Sequence, residues 1–131
     1  MIGIWSEYAV YYLIVVAVAT FLFFGLPMML WPLKWARPFK WKIPEQTHLA
    51  IYFGRCLGGI ICSMAVFAFI STKHIETMIL FYQFILANFF IMIAVHAYGA
   101  LKKIQPAAET YEILYWVLMV MLTLLFFPTG M

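Results

Sequence analysis

From Tyr8 to Leu33 no residue carries a formal charge, a run longer than the roughly 20 residues with which a helix crosses the hydrocarbon core of a bilayer. Three more apolar stretches follow, and each holds only a few ionisable groups. In lipid a backbone has no water to bond, so segments of this kind satisfy their N–H and C=O groups internally as helices. The expected fold is all-α, an integral membrane antiparallel four-helix bundle with helices at about 7–31, 47–70, 76–100 and 108–127. One membrane domain then accounts for residues 1–131. Composition agrees: 67% of the residues are hydrophobic and 10% are charged, where a soluble domain carries roughly 25% charged residues.

Neither lysine nor arginine precedes Glu7, so the basic leading region of a secretory signal is missing and the first segment is expected to stay in the mature protein. Ser6 and Glu7 suit a helix start, through a capping hydroxyl and an acid at the positive end of the dipole. Gly25 and Pro27 lie in the last third of that helix, where the proline removes a donor and bends the chain. No long block of like charge suggests a nucleic-acid arm. Cys56 and Cys62 stand six residues apart on one helix and point in different directions, which argues against a disulfide or thiol redox pair.

The first connector alternates Trp31, Trp35, Phe39 and Trp41 with Lys34, Arg37, Lys40 and Lys42, while Pro32, Pro38 and Pro44 prevent a long helix. Tryptophan prefers the headgroup layer and lysine is drawn to anionic lipid, so this loop reads as a membrane-surface anchor. A docking strip for an acidic partner is the alternative. Counting basic residues in short loops puts this connector, with Lys102 and Lys103, in the cytoplasm, and only Lys73 on the other side. Both termini are then expected outside, in the periplasm or an equivalent space.

Arg55 is the costliest residue of the second helix, about two turns inside an apolar run, and it needs acceptors from protein or water. His48, Tyr52, Arg55 and Gly59 share a stripe through spacings of four and three. An antiparallel bundle gathers His48, Tyr52, Arg55, His96, Tyr98, Glu109, Tyr111 and Glu112 into its cytoplasmic half. Within that polar cluster an Arg55–Glu112 ion pair is expected, with the role of fixing helix packing as the simpler interpretation. His48 and His96 reach one membrane level, which allows an axial haem pair, yet both lie near helix ends. Hydrogen bonds to headgroups or to Glu109 suit them better. No di-metal pattern is present, and no metal or catalytic residue is assigned. Gly54, Gly58 and Cys62 form a small-residue seam that lets a helix backbone approach, from this chain or from another subunit. Gln83 and Asn88 add amides at mid-membrane, where such groups bond across to neighbouring helices.

Four helices in a chain of this size, with Arg55-Cys-Leu-Gly-Gly59 early in the second, resemble the DoxX-like small membrane proteins. That resemblance covers the helix plan and one short motif; it implies an accessory or quinone-linked component of a membrane redox complex and carries over no catalytic residue. The leading functional expectation is an accessory subunit, without catalytic activity of its own, held in a larger membrane complex such as a respiratory assembly. Its partners are the lipid bilayer and other membrane subunits, not nucleic acid. No cofactor is required by the residues, although a quinone- or haem-linked oxidoreductase component is an alternative. A small multidrug-type transporter is a second one, weakened because Glu7 and Glu112 both sit near helix entrances.

Overall fold

The computed structural model describes residues 2–129 and is helical throughout, with no strand among the described residues. Four helices are long and apolar enough to cross a membrane: α1 (Ser6–Leu30), α3 (His48–Ser71), α4 (Ile75–Lys102) and α5 (Ala107–Leu125). A short helix α2 (Pro32–Ala36) lies in the first connector. The four long helices begin and end within two residues of the positions read from the sequence, because charged and proline-bearing loops bound the apolar runs.

The chain separates into two compact units, Met1–Tyr12 with Ser71–Met131 and Leu13–Ile70. In the unit built from Leu13–Ile70, α1 contains a π turn at Phe21–Gly25, where the N–H of Leu26 bonds the carbonyl of Phe21. Pro27 explains the irregularity. It has no N–H, so the carbonyl of Phe23 four residues earlier loses its usual α-helical partner. The indole Nε1 of Trp35 donates to that same carbonyl at 2.9 Å, which ties α2 back against the helix it has just left. Trp35 also meets Phe24 and Phe39 at ring distances of 5.9 and 4.8 Å.

The glycine seam is closed within this unit. Gly54 of α3 lies against Pro32, Gly58 against the backbone of Met29, and Gly25 of α1 against Ile61 and Cys62. As the position on α1 and α2 rises from 25 to 32, its contact on α3 falls from 62 to 54, so these segments run antiparallel. A side chain at Gly58 would begin 2.7 Å from the Cα of Met29 and 2.8 Å from the carbonyl oxygen of Gly25. Only glycine permits that approach. Ala65 and Ala68 continue the buried small-residue face along α3.

In the other unit α4 and α5 form an antiparallel hairpin, because His96 near the end of α4 meets Glu109 at the start of α5 while Tyr82 meets Phe127 beyond its far end. Residues 3–12 join that far end. The N–H groups of Gly3 and Trp5 bond the carbonyls of Leu124 and Leu125 at 2.9 and 3.0 Å. Tyr82, fully buried, donates to the carbonyl of Ala9 at 2.7 Å, and the hydroxyls of Tyr12 and Thr123 pair at 2.7 Å. The ring of Tyr12 stacks on Phe126. Ser6 is already in the first helical turn, and Trp5 precedes it with no side-chain cap. Backbone bonds to the end of α5 take the place of the expected serine cap.

Candidate functional site

The α4–α5 turn is four residues long, Lys103 to Pro106. Lys103 adopts a left-handed conformation, φ 55°, and its N–H bonds the carbonyl of Ala100, which ends α4 sharply. Gln105 then folds back over the helix end. Its Nε2 donates to the carbonyl of His96 at 3.0 Å and to Oγ1 of Thr110 at 3.1 Å, using both amide hydrogens. Gly99 makes room for this, since any side chain there would meet the Gln105 carboxamide. The turn therefore fixes α5 against α4 at the level of His96.

His96 is buried, with 5% of its surface exposed. Its Nδ1 lies 2.7 Å from the carbonyl oxygen of Met92, one turn back on the same helix. A carbonyl only accepts, so Nδ1 carries the hydrogen and donates it. Nε2 then faces α5, 3.2 Å from Oε2 of Glu109 and 3.5 Å from Oε2 of Glu112. The two acids stand three apart on a helix and so share a face. Both are partly buried, Glu109 more than Glu112. Trp116, one turn beyond Glu112, closes the apolar side, its ring 6.0 Å from that of His96 and 5.6 Å from Phe89. Its Nε1 is buried without a hydrogen-bond partner among the described residues.

Of the residues expected in one polar cluster, the structure brings together His96, Glu109 and Glu112. The His96–Glu109 contact was legible from the short turn; that Glu112 also reaches the imidazole was not, because Glu112 was assigned to Arg55. Tyr111 is exposed. Tyr98 is exposed as well and carries the Lys102 ammonium 5.9 Å above its ring. His48, Tyr52 and Arg55 belong to the other unit, where all three side chains are exposed. Within that unit, Arg55 makes no ion pair among the described residues. Glu112 belongs to the other unit, where it faces His96.

In the connector Trp31, Lys34, Arg37, Lys40, Trp41 and Lys42 are exposed, as an anchor at a surface requires, while Trp35 is half-buried and holds Phe23. The proline at position 27 was the available signal for that bond. Gln105 and Met92 were missed because a carboxamide or carbonyl beside a helix end has no signature in sequence. Compared with known proteins, the chain matches no family model, no curated protein and no solved structure.

Proposed function

We propose that this chain is a small multi-pass membrane subunit that packs into a larger membrane assembly, its four long helices forming an antiparallel bundle with the basic loops in the cytoplasm. One observation carries the reading. Arg55 lies in the third turn of α3, among neighbours such as Phe53, Leu57 and Ile60 that are themselves exposed, and its own side chain is exposed too. A guanidinium in contact with hydrocarbon costs at least about 2.5 kcal/mol even with partial escape toward the interface. A carboxylate or carbonyl supplied by a partner removes that cost, and bidentate pairing makes arginine the suitable residue. The exposed faces of all four spans fit the same picture, since no more than 22% of any apolar window is buried within the chain.

The DoxX-like resemblance points to the same role, with a redox assembly as the host. The haem version of the alternative is less well supported, because His96 is buried and closed in by the two carboxylates and the Trp116 ring, which leaves no room for a porphyrin beside it. The test is mild detergent extraction of the tagged chain, followed by identification of co-purifying chains and pigments. Co-purification in stoichiometric amounts is expected for the unaltered chain and for Lys34→Ala, with at least a tenfold loss for Arg55→Leu. A lone, colourless monomer, or equal recovery with both variants, would refute the proposal.

A further inference from the structure

We infer that His96, Glu109 and Glu112 form a binding site for one first-row divalent cation of the zinc, manganese or iron(II) class. Three potential ligand atoms, one from each residue, lie within 4.8 Å of one another. Ligands around a single cation at roughly 2.0–2.2 Å are separated by about 3–4 Å. The imidazole-to-carboxylate distances of 3.2 and 3.5 Å already fall in that range, so small rotations of the glutamates complete the set.

The orientation of His96 is the independent argument. An imidazole that ligates a metal through one nitrogen characteristically donates the other to a carboxylate or backbone carbonyl, which fixes the tautomer and aims the lone pair. His96 does this through Met92, which leaves Nε2 as the nitrogen that would ligate, and Nε2 faces two carboxylate oxygens. Two carboxylate oxygens converging on one imidazole nitrogen favour a positive charge between them. The surrounding groups hold this geometry in place. Gln105 clamps the His96 backbone to Thr110, and Trp116 walls off the apolar side.

Donor chemistry selects the cation. One imidazole and two carboxylates, with no thiolate, exclude the copper(I) preference, and the nitrogen ligand disfavours calcium and magnesium. Three protein ligands also leave a coordination position for water or a small ligand.

The experiment uses the full chain in detergent micelles, stripped with chelator and titrated with Co²⁺ while visible d–d absorption is followed, then challenged with Zn²⁺. Expected is one Co²⁺ per chain, displaced by Zn²⁺, with affinity falling at least tenfold in His96→Ala and in the isosteric double variant Glu109→Gln/Glu112→Gln, and unchanged in His48→Ala and His74→Ala. Helix content by circular dichroism and a monodisperse elution accompany each variant, and Glu112→Gln alone, the mildest change, must itself weaken binding. The absence of stoichiometric binding, or binding that survives the double glutamine variant, overturns the proposal and leaves a proton on Nε2 as the only charge between the acids. Loss of binding in His48→Ala or His74→Ala would place the cation elsewhere and overturn it equally.

Discussion

Gly58→Ala adds one methyl group to the seam between α1 and α3, and its consequence can be worked from the contacts. The new carbon would sit 2.7 Å from the Met29 Cα and 2.8 Å from the Gly25 oxygen, against the roughly 3.5–4.0 Å of an ordinary contact between carbon atoms. Both neighbours are backbone, so neither can rotate aside. The helices must part by about 1 Å, which forfeits a quarter to a half of the dispersion energy at the seam and corresponds to an overpacking cost of about 1–3 kcal/mol. Alanine gains back about 1 kcal/mol of helix propensity. Gly59 supplies the control, because a side chain there meets only the sulfur of Met29 at 4.0 Å and should collect the propensity gain without the clash. The two alanine variants should therefore differ by about 1–3 kcal/mol, a factor of roughly 5–150 in the unfolding equilibrium. Unfolding in mixed micelles with increasing SDS, followed by the helix signal, measures it. If Gly58→Ala unfolds within about 0.5 kcal/mol of Gly59→Ala, the close approach of the backbones is wrong and so is the role given to the seam.

Two further outcomes are expected. Thr123→Val keeps the shape of a fully buried side chain but strands the Tyr12 hydroxyl, and should cost about 1–2 kcal/mol; a double-mutant cycle with Tyr12→Phe should show coupling, and additive effects would deny the bond. Trp35→Phe removes the donor to the Phe23 carbonyl, so trypsin should cut after Lys40 or Lys42 about fivefold faster, as loss of about 1 kcal/mol implies; an unchanged rate would show that the connector is held by other contacts.

The helix plan was readable because hydrocarbon thickness and loop charge act on runs of residues, and runs are visible in a sequence. Rotation of one helix against another is not. Gly54, Gly58 and Cys62 announced a close approach, but the segment that fills it, Gly25 to Pro32, is placed by the π turn at Phe21–Gly25; Pro27 marks a disturbed helix there without fixing its rotation. His96 and Glu109 could be paired from the shortness of their turn, whereas Glu112 was assigned to Arg55 on depth and on the strength of arginine–carboxylate pairing. Depth says which residues share a level; it does not say which way they face. The bonds of Tyr12 to Thr123 and of Tyr82 to Ala9 were invisible for a related reason, since each joins a polar atom to a partner far along the chain.

That last separation bears on how the protein is made. Tyr12 and Thr123 are 111 residues apart, and at a synthesis rate of about 5–20 residues per second the tyrosine is made several seconds before its partner exists. The unit that contains both cannot close until α5 has been translated. Until then the hydroxyl, and the amides of Gly3 and Trp5, must find their hydrogen bonds with water or with other molecules. Chains halted before Thr123 would keep this segment open, so closure of the unit is the last step of its folding.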